Sequence, residues 1–248
     1  MIAVAVVAPD VVVQPQEYLR LLGYPGDRTF EGRSQELADM ARTWYGEHGR
    51  PWTYTRPAAS LQMRGDAVVI DGVEFTCTRL RDALREARAD HVMLVAASAG
   101  PELECEAQER WRAEKPDEYY FLECYGSAVV EQLVTDVGAR LCANADARGL
   151  AVLPHYSPGY PGWSIVEQGA LLDVVRPPGT NLPGPIDALE SGMLRPKKSL
   201  LAVFGITAET GRVRALTELV PCDSCSLPRC SFRRATYARA RSRTRVEA

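Results

Sequence analysis

The sequence predicts an α+β fold: a single domain with a mainly antiparallel sheet and long helices. Strand-like and helix-like segments come in clusters rather than in strict alternation, which argues against a parallel, doubly wound sheet. In "DAVVIDGVEFT" the pair Asp71-Gly72 joins two apolar arms, the pattern of a hairpin with a two-residue turn. Between Pro101 and Gly149 the pattern is helical, interrupted only near Lys115-Pro116.

Taken in order, "PQEYLRLLGYPGD" begins as an amphipathic helix and stops at Gly23, with Pro25 and Gly26 enforcing the break. A second helix is predicted over Glu31 to His48, since Leu37, Met40, Ala41 and Trp44 share one face. After the hairpin, "TRLRDALREAR" reads as a short charged helix. "HVMLVAASAG" follows as a continuous apolar strand buried on both faces and closed by Gly100. In the long helical stretch Phe121, Tyr125, Val129, Leu133, Val137 and Leu141 recur every four residues and form one broad stripe, interrupted at Glu131 and Gln132. Cys124 and Cys142 fall in the same pattern and read as core. Beyond it, "GWSIVEQGALLDVV" reads as a helix, "GPIDALESGML" as a turn with a short strand, and "KKSLLAVFGITAE" as a strong strand.

With 248 residues, 46% of them hydrophobic and 25% charged, the chain reads as an ordinary globular protein with a substantial core. The apolar run "MIAVAVVAPDVVV" lacks a basic head and is broken by Pro9 and Asp10, so neither a signal peptide nor a membrane span is predicted and the expected compartment is the cytoplasm. The net charge of −3 is unevenly spread. From Arg229 onward there are seven arginines and one acid, leaving a body near −9 and a basic tail. An acidic body argues against a nucleic-acid-binding face; the tail reads as a solvated terminus or as a contact for an acidic partner. The expected organisation is a folded domain over 1–220, a cysteine-rich segment over 221–234 and a basic tail over 235–248.

Common catalytic motifs are missing: no phosphate-binding Gly-rich loop, dinucleotide fingerprint, HExxH or GxSxG occurs. With only His48, His91 and His155 present, a histidine triad or a multi-histidine metal site is not expected. "CDSCSLPRC" places Cys222, Cys225 and Cys230 in a C-x2-C-x4-C array, in which a CxxC turn can bring two thiolates onto one metal ion and the third cysteine can close the same face. The array fits zinc or an iron–sulfur cluster completed by an exogenous ligand or a partner's cysteine, a redox pair, or unligated thiols. A non-enzymatic metal or redox module built on these cysteines is therefore one reading of the chain.

The other reading starts at residues 154–163, "PHYSPGYPGW". Three prolines, two glycines and three further aromatics exclude both a helix and a central strand. Such a loop either packs its rings over a sheet edge or presents them to a flat ligand. Together with "GALLDVV" and "LESGMLRPKKSLLAVFGI" it resembles, in order and spacing, the S-adenosylmethionine-binding activation domain of cobalamin-dependent methionine synthase. The chain resembles more closely the small stand-alone proteins related to that domain, through the early "LGY" helix, the "GSAVVE" helix and the end "CDSCSLPRCSFRR". The likeness covers roughly residues 17–234 and is strongest from Tyr125 onward.

The resemblance implies a protein that closes over cobalamin when the cofactor of a methyltransferase has been oxidised to cob(II)alamin. S-adenosylmethionine is then the methyl donor, and a flavodoxin, ferredoxin or similar carrier supplies one electron. It implies that Tyr160 lies at the corrin face near the donor as the catalytic residue, that Gly159 lets the backbone approach, and that Ser157 offers backbone groups to the adenine or ribose. Glu131 matches the acidic helix residue that pairs with the donor's ammonium. His155 stands where the family has an arginine gripping the donor's carboxylate, and imidazole cannot reproduce that planar two-point contact. No segment resembles the substrate barrels for homocysteine or methyltetrahydrofolate, so the chain alone is not expected to make methionine.

Overall fold

In the computed structural model, which describes residues 3–24 and 28–213, the elements follow in the order β1 (Val4–Val7), α1 (Pro15–Leu21), α2 (Gly32–His48), β2 (Trp52–Pro57), β3 (Leu61–Arg64), β4 (Ala67–Ile70), β5 (Val73–Phe75), α3 (Thr78–Glu86), β6 (His91–Ser98), α4 (Glu102–Arg112), α5 (Pro116–Asp146), β7 (Ala151–Val152), α6 (Gln168–Val175), β8 (Asp187–Ala188), β9 (Leu194–Arg195) and β10 (Ser199–Thr207). The central sheet has the order β1-β2-β6-β10-β7, and every neighbouring pair in it is antiparallel. A three-stranded meander, β3-β4-β5, and the pair β8-β9 lie outside it.

Alternation along the two central strands explains why both faces of this sheet are covered. Met93, Val95 and Ala97 of β6, with Ala202, Phe204 and Ile206 of β10, point into one core with α1, α2, α4 and α5. Val92, Leu94 and Ala96, with Leu201 and Val203, point into a second core with the meander, α3 and α6. The predicted burial of "HVMLVAAS" on both faces holds, since every residue from Val92 to Ser98 is buried. The hairpin turn also stands where predicted: Asp71 (φ 49°) and Gly72 (φ 84°) both take the left-handed conformation that such a turn requires.

Two expectations need adjustment. The second helix begins at Gly32, with Glu31 as its N-cap in a reciprocal capping box with Ser34. The helix expected over "GWSIVEQGALLDVV" is shorter, because Gly162 sits at φ 85° and residues 165–167 form a single 3-10 turn before α6 starts at Gln168. The apolar N-terminal run supplies an edge strand, β1; no helix among the described residues is long and apolar enough to cross a membrane. The boundaries expected at 220 and 234 lie outside the described residues.

Cys77 is fully buried as the N-cap of α3 and accepts a hydrogen bond from the Leu80 amide, and burial raises its thiol above the ordinary value. Cys105, by contrast, is exposed. Iodoacetamide at neutral pH is therefore expected to modify Cys105 well before Cys77, because the thiolate is the nucleophile. Peptide mapping over a labelling time course checks the order.

Candidate functional site

The proline-rich loop is fastened at both ends. Tyr156 and Val203 of β10 exchange backbone hydrogen bonds, each 2.9 Å, and Leu153 donates to Gly205 at 2.8 Å. Two residues of β10 are thus matched by three of the loop, so one extra residue is inserted at Pro154-His155, in the manner of a bulge. That insertion turns His155 toward the α5 face, where its ring packs 5.5 Å from Phe204, and leaves Tyr156 on the opposite face with the second core.

At the far end Trp163, 3% exposed, stacks nearly parallel on Tyr156 and meets Phe75 edge-on. Its indole N–H donates to Glu167 at 2.6 Å, and the other oxygen of Glu167 accepts from the Thr76 amide. Two of the loop's aromatics, Tyr156 and Trp163, are therefore anchors rather than ligand-facing rings. The Tyr156 hydroxyl donates to the Pro161 carbonyl, and burial holds this phenol above its ordinary pKa, so it stays protonated.

Between the anchors the chain makes a tight turn. The amide of Tyr160 donates to Ser157, that of Trp163 to Tyr160, and that of Gly159 to Trp163. Gly159 is at φ 92°, which a side chain would disfavour. Tyr160 stands half-buried at the tip, edge-on to Tyr156 at 5.5 Å, and its hydroxyl lies 2.9 Å from Nε2 of His155. Ser157 is 2% exposed, and its hydroxyl has no hydrogen-bond partner among the described residues. A buried hydroxyl left in that state costs about 1–3 kcal/mol, which a ligand can relieve.

The sheet edge beneath the turn adds further polar groups. Because Val203 spends its N–H and C=O on Tyr156, strand alternation directs those of Leu201 to the same edge. Among the described residues no strand pairs with Leu201 there.

Helix α5 forms the wall above this edge. Gly138 admits the Phe204 ring, which would lie 3.3 Å from a Cβ at that position. Glu131 and Arg140 are nine residues apart, hence on opposite sides of the helix. Arg140 reaches Thr53 of β2, so Glu131 lies toward the β10 edge and the loop. Lys198, just before β10, reaches the same helix: its ammonium is 2.9 Å from Ser127 Oγ and 3.0 Å from Glu123. Nothing in a "KK" pair marks it in sequence as other than solvated surface; the signal was strand alternation from Phe204 back to 198, read against Ser127 four residues before Glu131.

The structure thus brings His155, Ser157, Gly159 and Tyr160 into one turn, with Glu131 on the adjoining helix. Cys222, Cys225 and Cys230 lie outside the described residues. Among the described residues no group of three or more His, Cys, Asp or Glu is placed to hold a metal ion.

No protein-family model matches the sequence, nor does any curated protein. Among solved structures, the chain is similar to the crystal structure of the MetH reactivation domain bound to AdoHcy, with a TM-score of 0.58 and 12% identity over 82% of this chain and 78% of that one. The chain shares its fold with that reactivation domain. At this identity the likeness establishes the architecture alone, the α+β domain with its antiparallel sheet.

Proposed function

We propose that the chain binds S-adenosylmethionine along the β10 edge, under the 154–163 turn, and serves as a reactivation component for a cobalamin-dependent methyltransferase of the methionine synthase type. The observation that carries this reading is the buried Ser157 hydroxyl, which has no hydrogen-bond partner among the described residues and stands beside a stretch of β10 with no strand pairing at Leu201, in a fold shared with a domain crystallised with AdoHcy, the demethylated form of the donor.

The residues fit such a ligand. Ser157 Oγ and the outward N–H and C=O of Leu201 offer a donor and acceptor set to the adenine or ribose, and Gly159 lets the backbone come close. Glu131 pairs with the ammonium of the amino-acid end in a charge-assisted contact. Tyr160 presents its ring at the corrin face, and His155 holds it there through the hydrogen bond to its hydroxyl. When bound, S-adenosylmethionine supplies an electrophilic methyl group. What this chain does is orient that donor and exclude water, while the cobalamin resides on the partner protein and a flavodoxin- or ferredoxin-like carrier delivers the electron. The setting is the cytoplasm.

A methyltransferase poised as cob(II)alamin, mixed with this chain, S-adenosylmethionine and a one-electron reductant, is expected to regain the methylcobalamin absorbance. Failure with a panel of corrinoid methyltransferases contradicts the proposal. The cysteine array is proposed separately to hold zinc or an iron–sulfur cluster. Anaerobically prepared protein is then expected to contain zinc, or iron with sulfide, and Cys222→Ser to release it; protein devoid of all three refutes this part.

A further inference from the structure

We propose that Lys198 holds the carboxylate of the bound donor, the role for which an arginine is absent at position 155. The inference rests on the S-adenosylmethionine reading above and names the group that makes the site selective for an amino-acid end.

An amino-acid terminus carries its ammonium and carboxylate on one carbon, so its site needs an acid and a base only a few ångströms apart. Glu131 and His155 do not stand at the same level of the fold. His155 rests on Phe204, which faces Gly138, and Gly138 is seven residues beyond Glu131, about 10 Å along the helix. Nε2 of His155 is moreover directed to the Tyr160 hydroxyl.

Lys198 is at the right level. Strand alternation places it on the α5 face with Leu200, Ala202 and Phe204, and its stem crosses Gly126, where a Cβ would lie 3.0 Å from Lys198 Cγ. Its ammonium contacts Ser127, which precedes Glu131 by one helical turn, a Cβ separation of about 5–6 Å. The side chain is 14% exposed and is fixed by Ser127 and Glu123 rather than swinging in solvent. An ammonium has three donors, and among the described residues two of them are used, so the third can be turned to a ligand. Glu123 also pairs with Lys197 at 2.5 Å, so one carboxylate serves two cations, and Glu104 accepts from the Lys197 amide.

The test uses S-adenosylmethionine and its decarboxylated form, which keeps the sulfonium, nucleoside and ammonium but lacks the carboxylate. The wild-type chain is expected to favour the intact donor by roughly 10- to 100-fold, the scale of a hydrogen bond to a charged group. In Lys198→Met that preference disappears: affinity for S-adenosylmethionine falls to the level of the decarboxylated compound, whose own affinity does not change. Lys198→Arg keeps a preference. His155→Gln keeps the full preference. Glu123 retains Lys197 in Lys198→Met, so the variant is expected to melt like the wild type. A preference that survives in Lys198→Met, or is lost in His155→Gln instead, overturns the assignment. Equal wild-type binding of both compounds also overturns it while leaving the donor site standing, whereas binding of neither compound refutes the donor site itself.

Discussion

Phe204→Ala is expected to lower the melting temperature by roughly 6–20 °C. The ring is 1% exposed in the middle of β10, between Gly138 of α5 and the imidazole of His155. Removing a buried phenylalanine ring costs about 3–5 kcal/mol, and in a domain of this size each kcal/mol moves the transition by about 2–4 °C. The site cannot collapse cheaply. Gly138 has no side chain to swing into the space, and α5 is a 31-residue helix held by α1, α2 and α4. The same substitution takes away the support under His155, which holds the Tyr160 hydroxyl, so reactivation weakens along with stability. Calorimetric melting of both proteins checks the value, and a fall of under 2 °C means the ring is not the joint between helix, sheet and loop.

Tyr160→Ala is expected to abolish reactivation while the protein keeps its fold. Tyr160 belongs to neither core; it makes an edge-on contact with Tyr156 and a hydrogen bond to His155, and the loop stays fastened through Tyr156 and Trp163. Loss of one hydrogen bond and a partial ring contact amounts to about 1 kcal/mol, hence a fall of about 2–4 °C. Remethylation of the partner cofactor, by contrast, drops to the level without added protein. Tyr160→Phe separates the two contributions, since it keeps the ring and removes only the hydroxyl held by His155. Melting temperature and remethylation rate are measured on the same preparations. A Tyr160→Ala protein that melts far lower yet still reactivates shows that the ring is structural.

What sequence reveals here follows from how local each signal is. The strand β6, the core stripe of α5 and the Asp71-Gly72 turn are legible because period, run length and turn chemistry lie within a few neighbouring residues. β1 and β2 are not. "TYTRP" carries two threonines, an arginine and a proline, and Thr53 and Thr55 are buried only because β1 and β6 flank them. β7 is two residues long and exists because β10 offers it an edge. The loop's composition announces a stiff aromatic turn, yet the division of its rings depends on distant partners: Trp163 is an anchor because Phe75 and Glu167 receive it. His155 faces α5 only through the extra residue at Pro154-His155, and Lys198 meets Ser127 and Glu123 only through the register of β10 against the helix. Both are long-range facts that no window of sequence contains.

On this reading the chain by itself binds S-adenosylmethionine at the β10 edge. Isothermal titration of S-adenosylmethionine into the purified protein, with melting recorded on the same sample, tests it most directly. The expected result is a single saturable site that S-adenosylhomocysteine competes for and that Glu131→Ala weakens by roughly 10- to 100-fold, the loss of a charge-assisted contact. A correctly folded protein that shows no saturable heat with millimolar donor, or a Glu131→Ala variant that binds as tightly as the wild type, contradicts it.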